Sequence, residues 1–327
     1  MRLIVDLFSL LVRGTALMLG LVGAGLALAG LGGAFSDKLD ALTHATPLWL
    51  AMGVGAVLLG GLFARRAERW VMVGLGALAI AASSALMLPE LRAAWRFKSE
   101  APAPGDLKII QFNAWHENRS PEKSLTWILS QNADVVIVEE GGGGNAPMLK
   151  ALIKTYNYAS CSRAGRCEAW ILSRRRIIAD GAIPIGTRRL AAGWATLEYP
   201  GGPFTVAGVH LYWPVPAGVQ QVQSRKLIDG LKPFDRRSLI LTGDFNSTPW
   251  SFTLRRQDKA LGLQRWTRAL PSWPSGQFSR VAAAPAPFLP IDHVYTGPAW
   301  RAVRVERGPA IGSDHRPIVV TLRRTSK

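Results

Sequence analysis

The sequence predicts an α/β domain built from many short strands and preceded by about three membrane-spanning helices. Two observations carry this expectation. Apolar residues crowd the first hundred positions, where Leu, Ala, Gly and Val dominate, while the remainder reads as an ordinary globular sequence. In that remainder, strand-like runs alternate with helical patterns, and about 225 residues are ample for a closed core.

Three apolar stretches, at roughly 7–34, 48–64 and 70–88, approach the about twenty residues needed to cross a bilayer. Arg13 interrupts the first and can snorkel toward the near interface. Trp49, Trp70 and Trp95 lie at the ends of spans, where amphipathic rings prefer to sit. A cleaved signal peptide followed by core helices is the alternative. No small-residue cleavage site is obvious, and three spans in series are hard to bury otherwise. The expected division is therefore a transmembrane region over 1–98, a linker over 99–106 and a soluble domain over 107–327.

Loop charge sets the expected orientation. The turn Arg65-Arg66-Ala67-Glu68-Arg69 is basic and should stay in the cytoplasm. The connection Ser36–Pro47 has one Lys against Asp37 and Asp40 and should lie outside. The soluble domain then falls on the extracytoplasmic side of a bacterial inner (cell) membrane, in a multi-pass protein. Arg92, Arg96 and Lys98 pull the other way. Cys161 and Cys167, the only cysteines, are candidates for a small disulfide loop suited to an oxidising compartment, or for two unrelated thiols. No Cys/His spacing suggests structural zinc. Of the formal net charge of +17, residues 101–327 carry +14, with 30 Lys/Arg against 16 Asp/Glu. Such a field attracts polyanions or anionic lipid, and an Arg-rich solvated surface explains it equally well.

Strands are expected at Leu107–Asn113, Val135–Val138, Ala169–Leu172, Trp194–Tyr199, Phe204–Leu211, Leu239–Thr242, Ile291–Tyr295, Val303–Arg307 and Ile318–Leu322. Ser120, Pro121 and Glu122 mark a helix start, with Asn132 near its end, and Gln220–Leu231 reads as another helix. The run Gly141–Gly144 lacks the Lys-Ser/Thr of a phosphate loop and reads as a mobile loop.

Polar residues recur where strand-like runs end: Asn113, Glu139-Glu140, His210, Asp244 with Asn246, and Asp314-His315, with Asp292 inside its own run. Taken singly, each has an ordinary explanation as turn, loop or satisfied core residue. Strand ends are rigid platforms, however, so the set can converge on one edge of a sheet structure.

The order Asn, Glu, His-Leu, Gly-Asp-Phe-Asn, Ile-Asp-His, Ser-Asp-His-Arg-Pro resembles the endonuclease/exonuclease/phosphatase (DNase I-like) superfamily over residues 107–323. Gly243-Asp244-Phe245-Asn246 and Ser313-Asp314-His315 carry most of the resemblance. The strings Gly243–Ser251 and Trp273-Pro274 look like a bacterial membrane-tethered branch that includes teicoplanin-resistance-associated proteins. The resemblance implies a four-layer α/β sandwich of two packed mixed sheets flanked by helices.

It also implies a divalent-metal-dependent hydrolase of phosphoester or pyrophosphate bonds. Glu140 would be the principal metal ligand, with Asp314 near the metal and Asn113 in support. Mg²⁺ or Mn²⁺ suits such hard oxygen donors. His315 would be general base or phosphate-polarising group, oriented by Asp292. Asp244 and Asn246 would position the attacking water and the scissile phosphate, and His210 would donate to phosphate oxygens or the leaving group. Two departures stand out. Glu139 replaces the Gln that many relatives carry before the metal-binding Glu, so it would share the metal or raise a local pKa. Trp115 stands where nucleases for abasic DNA often have an acidic residue. Arg174–Arg176 and Arg188-Arg189 are either substrate contacts or solvated surface.

Three functions follow: a phosphatase or phosphodiesterase acting on a phosphate-containing, lipid-linked substrate at the membrane; an extracytoplasmic nuclease, with nucleic acid as substrate; or a non-catalytic membrane scaffold. Retention of the whole polar set argues against the scaffold. No protein partner is inferable from the sequence.

Overall fold

The computed structural model describes residues 2–161, 168–183, 192–277 and 282–325. The chain forms two compact units, Met1–Arg92 with Thr248–Leu254, and Ala93–Ser247 with Arg255–Lys327.

The first unit is helical: α1 (Arg2–Leu31), a 3₁₀ turn at Gly32–Ala34, α2 (Asp37–Thr43), α3 (Thr46–Phe63) and α4 (Arg66–Arg96). Three helices, Leu3–Ala34, Thr46–Phe63 and Arg66–Arg96, are long and apolar enough to cross a membrane. Two of them outrun their apolar stretches because backbone hydrogen bonding continues into flanking polar residues. Leu3, Leu7, Leu10, Leu11, Leu58 and Leu62 are exposed on these helices, which is costly in water and natural in hydrocarbon. The α3 and α4 backbones meet closely at Gly53 and Gly76, where a Cβ on either would sit within 2.8 Å of the other's carbonyl oxygen. Arg13 pairs with Glu68 at 3.0 Å, joining α1 to the start of α4.

The connection Ser36–Pro47, read from sequence as a loop, contains α2. Its Asp40 is buried and accepts hydrogen bonds from Phe252 N and Thr253 N, both at 2.8 Å, and from Thr253 Oγ1 at 2.6 Å. Nearby, the Trp250 indole donates to Thr43 O at 2.8 Å, and Thr248 N donates to His44 Nδ1 at 3.2 Å. Loop charge alone does not show that Asp40 is buried. The orphan N–H groups at the start of a distant helix claim it.

The second unit contains, in order, β1 (Leu107–Asn113), α5 (Pro121–Ser130), β2 (Val135–Glu139), a 3₁₀ turn (Gly143–Asn145), α6 (Ala146–Thr155), β3 (Tyr158–Cys161), β4 (Ala169–Ser173), β5 (Ile177–Ile183), β6 (Ala192–Leu197), β7 (Phe204–His210), α7 (Val219–Leu231), β8 (Ile240–Asp244), α8 (Phe252–Leu261), β9 (Gln264–Arg265), β10 (Gly276–Gln277), β11 (Ala283–Ala284), β12 (Asp292–Thr296), β13 (Trp300–Arg307) and β14 (Ile318–Arg324). Two six-stranded mixed sheets form, ordered β13-β14-β1-β2-β4-β3 and β5-β6-β7-β8-β12-β9. The alternation of side chains divides each strand between two cores. Leu107 and Ile109 face the inter-sheet core with Val206, Ile240 and Val294, whereas Ile110 and Phe112 pack outward with Ile128 of α5 and Leu152 of α6. This is the expected sandwich of two packed sheets flanked by helices. Cys161 is disulfide-bonded. Cys167, and with it the expected pairing, lies outside the described residues, as do Arg188 and Arg189.

A buried ionic network fixes β12. Arg265, 1% exposed, donates to Asp258 Oδ2 at 2.9 Å, and the Tyr295 hydroxyl donates to Asp258 Oδ1 at 2.7 Å. Removing one partner of such a pair leaves an uncompensated buried charge, so Asp258→Ala should destabilise the protein by about 3–5 kcal/mol. Urea unfolding of the detergent-solubilised full chain measures this. A change below about 1 kcal/mol would show that the guanidinium reaches water.

Candidate active site

The two sheets bring their polar residues to one edge through strand register. Asn113 ends β1 opposite Glu139 at the end of β2. His210 ends β7 opposite Asp244 at the end of β8, and Asp292 at the start of β12 faces Asp244 from the other side. Asp314 and His315 precede β14. Gly243 has φ +150°, and a Cβ there would lie 1.8 Å from Val209 O, so only glycine lets β8 carry Asp244 beside β7. Trp115, Glu140 and Asn246 take positive φ values of 53°, 53° and 47°. Such strain in non-glycine residues gathers where surrounding structure over-determines a functional geometry.

All eight expected site residues meet in one cluster. Asn113 Nδ2 donates to Glu140 Oε1 at 3.1 Å and to Asp244 Oδ2 at 3.0 Å. His210 Nε2 lies 3.7 Å from both Glu140 Oε1 and Asp244 Oδ2. Asn246 N donates to Asp244 Oδ1 at 2.8 Å, and its side chain donates to Leu211 O at 2.9 Å. His315 Nδ1 donates to Asp292 Oδ2 at 2.8 Å, while its Nε2 lies 3.6 Å from Asp244 Oδ2 and 4.0 Å from Asp314 Oδ1. Ser313 explains the rest of the Ser-Asp-His string. Its hydroxyl donates to Asn113 O at 2.7 Å and accepts from His315 N at 3.0 Å.

Four further residues take part that are not among the eight expected site residues. The backbone N of His116 donates to Glu140 Oε2 at 3.0 Å, and its Nδ1 lies 2.9 Å from the same oxygen. Gln111 Nε2 bridges Glu139 Oε2 at 3.0 Å and Asp292 Oδ1 at 2.8 Å, tying the two sheets together. The Trp273 indole donates to Asp314 Oδ2 at 2.9 Å. Gln220 Nε2 donates to the carbonyls of Phe245 and Asn246. Only Gln111 had a legible signal, being polar in step with Leu107, Ile109 and Asn113 on the inner face of β1. The other basic candidates are engaged elsewhere: Arg175 with Asp134 at 3.0 Å, Arg176 with Glu198 at 3.1 Å, and Arg174 with Asn132.

Charge is divided unequally among the carboxyls. Burial would raise Glu140, but His210, the His116 hydrogen bonds and Asn113 lower it to about 2, so it is ionised. Burial and the neighbouring Asp292 and Asp244 push Glu139 well above the usual carboxylate range, so it is neutral. Burial likewise raises Asp244, to about 6, against the pull of His315. Burial alone would lower His315, yet Asp292, Asp244 and Asp314 raise it well above its ordinary value.

The donor set fits a hard divalent cation. Glu140 is a charged oxygen donor, and Asp314 Oδ1 is buried without a hydrogen-bond partner. Ligand atoms of Asp244, Asp292 and His315 also approach within 4.8 Å of one another. We place less weight on that trio as a metal centre, because the hydrogen bond between Asp292 and His315 occupies two of the three.

Two packed mixed sheets with an acid, imidazole and amide cluster at one edge define the architecture of an α/β-sandwich phosphoester hydrolase. The chain belongs to the Endonuclease/Exonuclease/phosphatase family, whose model matches residues 110–315. The match is to the family as a whole and does not single out a membrane-tethered branch. Solved structures share the fold. An endonuclease/exonuclease/phosphatase from Bacteroides vulgatus is 18% identical with TM-score 0.56, covering 67% of this chain and 99% of its own. A functionally unknown conserved protein from Enterococcus faecalis V583 is 16% identical with TM-score 0.55, covering 67% and 100%. D. rerio TDP2 complexed with single strand DNA product is 15% identical with TM-score 0.55, covering 67% and 99%. No curated protein matches the chain.

The proton on His315 supplies a test of this electrostatic picture. In metal-free protein its stabilising effect is present below the unfolded value of about 6.5 and is lost as pH rises through the elevated folded value. Asp292→Asn should lower the His315 pKa, read by NMR titration of the imidazole nitrogens. An unchanged titration would show that Asp292 is not its principal partner.

Proposed function

We propose that this chain is a membrane-anchored phosphoesterase that hydrolyses phosphoester or pyrophosphate bonds of a lipid-linked substrate, with Mg²⁺ or Mn²⁺ held at Glu140, Asp314 and Asn113. The observation that carries the reading is the convergence of an ionised Glu140, His210, Asp244, Asn246 and the Asp292–His315 pair at one sheet edge. Such a cation, when bound, neutralises phosphate charge and polarises the phosphorus–oxygen bond.

This chain's own groups supply the remaining steps. His315, held protonated by its three carboxylate neighbours, donates from Nε2 to a phosphoryl oxygen. Asp244, with its pKa raised to about 6, accepts a proton from the attacking water, and the amide of Asn246 orients that water or the phosphate. His210 donates toward the leaving oxygen. His116 holds the second oxygen of Glu140, so that Oε1 alone points toward Asn113 and His210.

The membrane reading rests on the three long apolar helices. Within the first unit, the connection carrying Asp40, Thr43 and His44 holds Thr248–Leu254, whereas the basic turn Arg65–Arg69 lies at the other end of α3. That arrangement supports a basic turn in the cytoplasm and catalysis outside it. A nuclease is the second reading, favoured by the +14 charge of residues 101–327 and by the fold shared with the DNA-bound TDP2.

Two experiments test these statements. With Mg²⁺ or Mn²⁺, the purified full chain should hydrolyse a lipid pyrophosphate in preference to plasmid DNA, and Glu140→Gln should lower the rate roughly hundredfold or more. Robust plasmid cleavage abolished by Glu140→Gln would select the nuclease. Absence of both activities and of metal binding would return the scaffold. A reporter fused after Lys327 should be active outside the cytoplasm, and activity confined to the cytoplasm would overturn the orientation.

A further inference from the structure

The polar cluster has an apolar border. Leu211, which follows His210, is buried, and the chain then exposes Tyr212, Trp213 and Val215, the last two by 50% and 66%. This is not a slack loop. Tyr212 N donates to Gln223 Oε1 at 2.8 Å, and Gln220 Nε2 donates to Tyr212 O at 2.7 Å. The same Gln220 amide also holds Phe245 O and Asn246 O, so one side chain fixes both the border and the backbone of a site residue. The Trp213 ring packs edge-on against Trp273 at 5.5 Å, and Trp273 in turn holds Asp314. Phe288, also exposed, donates its backbone N to Trp273 O at 3.1 Å.

The next element, α7, buries Leu227 and Leu231 in its later turns, but its first turns are arranged inside-out. Gln220, Gln221, Gln223 and Ser224 are buried, while Val219 and Val222, three positions apart on one face, are exposed. A helix whose outer surface meets only water shows the opposite pattern. The run Leu211–Val222 contains no charged residue. A surface that grips a nucleic acid backbone needs Lys or Arg to neutralise phosphates, so this border is poorly suited to it.

We propose that Tyr212, Trp213, Val215, Val219, Val222 and Phe288 form a subsite for the hydrocarbon chain of an amphiphilic phosphoester whose phosphate occupies the adjoining polar cluster. The inference rests on the phosphoesterase reading and narrows its substrate class. Along the chain, His210 is followed by the exposed Tyr212, Trp213 and Val215 and then by the exposed Val219 and Val222. The same chain carries three helices fit for a bilayer, where such amphiphiles reside.

The test compares methyl and hexadecyl esters of p-nitrophenyl phosphate, hydrolysed by the full chain in lipid nanodiscs. In the double variant Val215→Ser/Val222→Ser, the hexadecyl-over-methyl ratio of kcat/KM should fall about tenfold, equivalent to losing roughly two methylene-sized contacts. An unchanged ratio, whether the border is solvated or covered by a protein partner, overturns the proposal. So does an equal fall with both esters, which would mark the border as structural. If the wild type hydrolyses neither ester, the phosphoesterase reading fails separately, and hexadecylphosphonate decides the subsite. It should raise Tm more in the wild type than in the double variant, while methylphosphonate should not distinguish them. Equal shifts with hexadecylphosphonate sink the subsite.

Discussion

Glu139, Glu140, Asp244, Asp292 and Asp314 share one largely buried edge of the sandwich, and five carboxyls so placed cannot all keep an unbalanced charge. The structure resolves the conflict group by group. Glu139 is neutral, Asp292 is matched by the His315 cation, and Glu140 draws on His210, His116 and Asn113. Asp244 is raised and Asp314 keeps a buried oxygen without a hydrogen-bond partner. What remains unmet is positive charge beside oxygen donors. That is the electrostatic demand a divalent cation would satisfy.

Backbone geometry makes this crowding possible. Parallel pairing of β1 with β2 and of β7 with β8 ends four strands at the same edge, and the antiparallel β12 returns there with its first residue. Gln111 then spans the sheets from Glu139 to Asp292. It fastens the neutral acid to the ionised one, so the two halves of the cluster cannot drift apart without breaking a buried hydrogen bond.

The strands that carry chemistry were legible because their apolar runs are long and end in distinctive polar strings. The structure places β1, β2, β4, β7, β8, β12 and β14 within a residue or two of expectation. The elements that escaped had no such signal. β3 exposes Tyr158 and Ala159, β5 carries a mixed pattern, and β9 to β11 are two residues each. Helices α6 and α8 are only ten residues long, and α6 begins directly from a glycine-rich run that itself forms a 3₁₀ turn rather than a loose loop. At the candidate site, the eight positions of the ordered motif lie in one cluster. His116 and Gln220 act through hydrogen bonds to partners distant in sequence, which no local pattern announces, and the Trp273-Pro274 string did not reveal the bond from Trp273 to Asp314. Glu139 was readable only as a departure. Burial, with Asp292 and Asp244 beside it, makes it a neutral acid.

The helical unit is more than an attachment. Thr248–Leu254 follows directly on Asn246 and Ser247, yet it packs as part of the first unit, where Asp40 accepts three hydrogen bonds from it. Without residues 1–98, the N–H groups of Phe252 and Thr253, the Thr253 hydroxyl and the Trp250 indole would lose these acceptors, and unmet buried donors cost about 1–3 kcal/mol each unless water replaces them. The strained backbone of Asn246 lies two residues from that anchor. A chain lacking residues 1–98 would therefore lose restraint first at Thr248–Leu254.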